Sequence, residues 1–202
     1  MVDKFLTIAK ESESLYKEKG SKFIGIAVPV QSEEDVKSSL EAIRKKYYDA
    51  RHHCYAYTLK SDASQIRAND DGEPNHSAGD PILGQIKSKN LTNTLVVVVR
   101  YFGGTKLGVS GLINAYKTSA KEALEANTIV EEEVRDTLVL KFPYEEMNEV
   151  MKLVGTLDLK ILDQGYEDMS TLTVAVLASK RVNLTEKITF LNNIGHKIFL
   201  PS

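Results

Sequence analysis

An α+β fold in two units is predicted by three features of the sequence. Leu95 to Val99 form a continuous apolar, mostly β-branched run, the pattern of a strand buried on both faces. Gly103, Gly104, Gly108 and Gly111 follow it and lead into a helical stripe of Leu112, Tyr116, Ala120, Ala123 and Leu124 that ends near Asn127. Beyond residue 136 the apolar period alternates between 2 and 3.6 in the order β-α-β-β-α-β, which is the ferredoxin-like order. The acidic stretch TIVEEEVRD at 128–136 separates the two patterns, which places the domains at 1–133 and 134–202.

Taken in order, residues 15–30 read as a hairpin turning at Gly20 and Ser21, with Ile24, Ile26, Val28 and Val30 on one face and Pro29 at an edge or strand end. Ser32 is an N-cap, followed by Glu33, Glu34 and Asp35 where the helix dipole favours acids, and Val36, Leu40, Ile43 and Tyr47 stripe the helix over 32–48. Residues 50–59 alternate as a strand, with His53, Tyr55, Tyr57 and Leu59 on one face and His52, Cys54, Ala56 and Thr58 on the other. The aromatic face is either core or an exposed stacking platform for single-stranded nucleic acid. Residues 60–80 show no period and read as a long loop, after which a helix starts near Pro81. In the second unit, strands are expected at 138–142, around 159–161, at 172–176 and in the closing KIFL, with helices around 147–154 and 184–194.

A formal net charge of −2 gives no global attraction to nucleic acid or acidic lipid, so any such contact needs a local basic patch. The single cysteine, Cys54, excludes an intramolecular disulfide and a cysteine-rich metal site. No signal-peptide core or membrane-length apolar run is present, so the expectation is a cytoplasmic protein that does not enter a membrane.

Chemistry concentrates around the glycine turn. A strand, a glycine-rich turn and a helix start can present backbone N–H groups to an anion, and Arg100 and Lys106 flank that turn. The residues expected to bind an anion or RNA are Arg51, His53, Tyr55, Tyr57, Arg100, Tyr101, Gly103, Gly104 and Lys106. Asp70, Asp71 and Glu73 offer oxygen ligands for magnesium, or else pair with Arg51 or Arg100. His52, Cys54 and His76 fall short of a full zinc ligand set, and the turn lacks the GK[ST] ending of a P-loop. No catalytic residue and no required cofactor follow, with magnesium left as the one open alternative.

Three segments together, RHHCYAY (51–57), DDGEP with SAGDPIL (70–83) and LVVVVRYFGGTKLGVSGLINAY (95–116), resemble the IMPACT/YigZ family in its bacterial YigZ-like form. The resemblance implies a first domain of the ribosomal protein S5 domain 2-like fold and a ferredoxin-like second domain akin to one in translation elongation factor G. It also implies a non-catalytic regulatory or translation-associated factor whose partner is RNA or a component of the ribosome and translation machinery. The alternatives are a protein-binding regulator without nucleic-acid contact and a magnesium-dependent enzyme acting on a phosphorylated small molecule. Where the family is expected to carry a basic residue before the proline, this chain has Asp80, which weakens that loop as a phosphate grip.

Overall fold

In the computed structural model, which describes residues 3–201, the first element is β1 (Lys4–Ile8), a strand the sequence pattern does not announce. The expected hairpin is β2 (Ser12–Glu18) and β3 (Ser21–Pro29). Its two-residue loop, Lys19 and Gly20, has φ of 45° and 82°. Positive φ at both central positions is the geometry that matches the twist of antiparallel strands. Next comes α1 (Glu33–Lys46), closed at its start by a reciprocal capping box. The Asp35 N–H donates to Ser32 Oγ at 3.1 Å and the Ser32 N–H to Asp35 Oδ2 at 3.0 Å. A cap of this kind is worth about 1 kcal/mol.

After α1 the chain forms β4 (His52–Leu59), β5 (Gln65–Asn69) and α2 (Gly79–Ser88), then β6 (Thr94–Tyr101) and α3 (Gly108–Glu125). The long loop expected at 60–80 therefore contains β5. QIRAN is a short edge strand with no buried residue and no alternation, so periodicity cannot reveal it. Strands β2 to β6 form one antiparallel sheet in the order β2-β3-β6-β4-β5. The apolar run of β6 lies in its centre. Val96 and Val98 pack with Ile82, Ile86, Leu112 and Tyr116 beneath α2 and α3, whereas Leu95, Val97 and Val99 pack with Val36 and Ile43 beneath α1. Each such buried side chain contributes about 1.5–3 kcal/mol of burial, which is why β6 is apolar at every position rather than at alternate ones. The final strand of this unit, β7 (Ile129–Glu133), pairs with β1 in a separate two-stranded ribbon.

Contacts divide the chain into Phe5–Glu132 and a second unit that joins residues 3–4 to 133–201. In the second unit β8 (Arg135–Phe142), α4 (Met147–Leu157), β9 (Lys160–Tyr166), β10 (Ser170–Leu177) and α5 (Arg181–Asn193) follow in order. The sheet order is β8-β10-β9, all antiparallel. KIFL, expected as a closing strand, is reduced to one bridge in which Phe199 and Lys141 exchange backbone hydrogen bonds of 2.8 and 2.9 Å. That bridge still puts the C-terminal end beside β8. Asp3 is tied in here as well: its carboxylate accepts from the Ser179 N–H at 2.8 Å and from the Ser179 hydroxyl.

Candidate functional site

The end of β6 and the start of α3 frame a cavity of about 660 Å³. It is lined by Asp49, Arg51 and His52 from the approach to β4, by Glu73 and Pro74 from the loop before α2, and by Arg100 to Phe102, Lys106 to Val109 and Leu112. The turn between β6 and α3 is fixed by a close approach of two backbones. A Cβ built on Gly103 would lie 1.9 Å from the Gly20 carbonyl carbon, so position 103 is restricted to glycine, and the tip of the β2–β3 hairpin can lie directly against the end of β6. At the first residue of α3, Gly108 has φ of 72°, a conformation open to glycine at little cost. No side chain caps α3 and no acid occupies its first turn, so the positive end of its dipole faces the cavity wall uncompensated.

Beneath the cavity lies a buried polar network. Arg100 Nη1 donates to Glu73 Oε1 at 2.5 Å, and the same oxygen accepts from the Tyr116 hydroxyl at 2.8 Å. Side-chain exposure is 8% for Arg100 and 5% for Glu73. Cys54 Sγ donates to the Asp70 carbonyl at 2.9 Å and approaches the Tyr116 oxygen at 3.4 Å. Burial pushes the Cys54 thiol up to about 12 and raises the Tyr116 hydroxyl as well, so both stay protonated at neutral pH. The guanidinium also sits 5.5 Å from the Phe23 ring centre and 5.6 Å from that of Phe102. Its Nε is buried and has no hydrogen-bond partner among the described residues. At the rim, Tyr101 donates its hydroxyl to Asp49 Oδ1 at 2.7 Å, which raises the Tyr101 pKa to about 12.

Of the residues singled out in the sequence, Arg51, Arg100, Tyr101 and Lys106 line this cavity, and Gly103 and Gly104 shape the turn beside it. The aromatic platform requires correction. His53, Tyr55 and Tyr57 are 7%, 8% and 4% exposed, because α1 covers that face of β4. His53 donates from Nε2 to the Tyr47 carbonyl at 3.1 Å, and desolvation lowers its pKa, which keeps the ring neutral.

The proposed magnesium ligands diverge. Asp70 accepts from the N–H groups of Ala78, Gly79 and His76 at 3.0, 2.8 and 2.8 Å, whereas Asp71 meets Arg44 at 3.1 Å and the His53 N–H at 2.7 Å. Glu73 is engaged with Arg100 and Tyr116. Among the described residues no group of three His, Cys, Asp or Glu side chains is arranged to hold a metal ion, and His76 bonds to Asp80 at 2.6 Å, well apart from Cys54 in role. Asp80 does not line the cavity. Asp49 and Phe102 are the site residues that sequence reasoning missed. Phe102, 57% exposed at a strand end, carried a signal in being a large aromatic just outside a buried run; Asp49 carried none.

Comparison with known proteins gives a consistent result. The Impact N-terminal domain model matches residues 19–124. The chain is 33% identical over 172 residues to the IMPACT family member YigZ of Escherichia coli (strain K12), covering 84% of each. A crystal structure described only as that of a hypothetical protein is similar with a TM-score of 0.71 at 29% identity, covering 100% of this chain and 99% of that one. The structure described as that of the two-domain translational regulator Yih1 aligns at 26% identity over 60% of this chain and 47% of that one, with a TM-score of 0.36. No helix among the described residues is long and apolar enough to cross a membrane.

Proposed function

The chain belongs to the IMPACT family, and from that premise we propose that it is a non-catalytic regulatory factor that binds RNA or another component of translation through an anionic group seated in the cavity at the start of α3. One observation carries this reading: Arg51, Arg100 and Lys106 line a single cavity together with the first residues of the uncapped α3. Arg51 and Lys106 are exposed and have no ion-pair partner among the described residues, so their charge is available to a ligand. The nearest thiol is 0% exposed with its pKa near 12, and the neighbouring carboxylates Asp70, Asp71 and Glu73 are each engaged by donors. The translational direction follows from the family resemblance.

RNA affinity measured against salt concentration tests it. Binding that depends on neutralised phosphates weakens linearly on a log–log scale, and Arg51→Ala and Lys106→Ala should each lower the slope by about 1. A wild-type protein with no RNA affinity at low ionic strength, or a slope untouched by both substitutions, overturns the RNA form of the proposal.

A further inference from the structure

We propose that the cavity takes a terminal phosphomonoester carrying a planar ring, that is, a nucleoside 5′-monophosphate group, either as a free nucleotide or as the 5′ end of an RNA; this rests on the anion-binding reading above and narrows it. Depth is the first reason. Arg100 and Glu73, at 8% and 5% side-chain exposure, form the floor, whereas Arg51, Phe102 and Lys106 are exposed at the rim. An internal phosphodiester runs on in both directions and keeps only two free oxygens, so it reaches the rim but not the floor. A terminal phosphate has three free oxygens and up to two negative charges, and one end of it is unencumbered.

Charge is the second reason. Glu73 is neutralised by Arg100, so Arg51 and Lys106, with the first N–H groups of α3, face a dianion against the single carboxylate of Asp49, which is turned by Oδ1 to the Tyr101 hydroxyl. The Arg100 side chain lines the same cavity, and its Nε has no hydrogen-bond partner among the described residues. The remaining contents of the cavity suit the rest of a nucleotide. The Phe102 ring is 57% exposed and offers a face for a base to stack on, an interaction that does not depend on base identity. Asp49 has a second carboxylate oxygen to accept from a sugar hydroxyl. A volume of about 660 Å³ accommodates one nucleotide, within the range of about 300–1,000 Å³ found for small-molecule sites.

The test uses the full chain and a 3′-fluorescein RNA oligonucleotide prepared with a 5′-phosphate or a 5′-hydroxyl, with AMP and adenosine as competitors. The expected result is at least tenfold tighter binding of the 5′-phosphate form, displacement by AMP but not adenosine, and loss of that preference in Lys106→Ala and Arg51→Ala. Both substitutions are at exposed positions, and circular dichroism confirms that the fold is retained. AMP binding without any 5′-end preference identifies the free nucleotide as the source and supports the proposal. RNA binding with a salt slope, but with neither end preference nor AMP competition, overturns the proposal and leaves the RNA-binding reading intact. Binding of neither RNA nor AMP overturns both.

Discussion

Arg100 and Glu73 form a charge pair with both members more than nine-tenths buried, and such a pair behaves differently when one partner is removed than when both are. Arg100→Met leaves the Glu73 carboxylate with only the Tyr116 hydroxyl, an uncompensated charge that costs about 3–5 kcal/mol. Adding Glu73→Gln removes that charge, and the amide still accepts from Tyr116. The double variant is therefore expected to recover a large part of the lost stability, measured by urea denaturation of the wild type, both single variants and the double. Strictly additive losses would show that the two side chains do not act as a unit. This pairing was legible in part: the sequence puts Glu73 in a polar loop and Arg100 at the end of an apolar strand, and pairing between them was one of its two readings. That Tyr116 completes the network was hidden, because a tyrosine within a helical stripe reads simply as core.

Among the elements, α2 depends on an acid outside it. Asp70 lies nine residues before Gly79, eight before Ala78 and six before His76, yet it accepts hydrogen bonds from all three N–H groups, while the N-cap residue itself, Ala78, offers no side-chain bond. Burial acts to raise the Asp70 pKa, but the donors Gly79, His76 and Ala78 together outweigh it and hold the carboxyl below its ordinary value of 3.8. A depressed carboxyl stabilises the fold fully above its unfolded pKa, and the contribution fades as pH falls through the folded value. Asp70→Asn should therefore cost about 1–2 kcal/mol at neutral pH, with the difference from wild type shrinking as both are acidified below about pH 4. Denaturation curves at pH 7 and pH 3 check this, and a difference independent of pH would contradict it. Sequence reasoning reads caps at two or three residues' distance, so the acids of DDGEP read as magnesium ligands or ion-pair partners rather than as a remote cap. The same limit applies to β4. Alternation revealed which side chains share a face, but not that α1 covers the one bearing Tyr55 and Tyr57. Strand β5 escaped for a related reason: a five-residue edge strand with no buried residue needs no apolar pattern.

For the whole molecule, each unit has a core of its own. Two clusters on opposite faces of the larger sheet fill Phe5–Glu132, and a separate cluster of Leu140, Phe142, Val150, Leu172, Leu184 and their neighbours fills the second unit. Every residue lining the α3 cavity falls between Asp49 and Leu112, inside the first unit. A fragment of residues 5–132 keeps both of its clusters, the β1–β7 ribbon apart from Lys4 and Glu133, and the complete cavity, at a length that supports a core of its own. It is expected to unfold in a single cooperative thermal transition and to retain the AMP affinity of the full chain within about a factor of three. The complementary fragment 134–202 should be less stable than its own core suggests, because it lacks Asp3, whose carboxylate receives the N–H and hydroxyl of Ser179 and whose carbonyl receives the Val134 N–H at 2.7 Å. Supplying residues 1–4 through a short flexible linker should restore stability to the second fragment but not alter the first. Calorimetry on the three proteins decides the matter: a 5–132 fragment without a cooperative transition would mean that its core is completed from outside, and the cavity could not then be treated as a property of that unit alone.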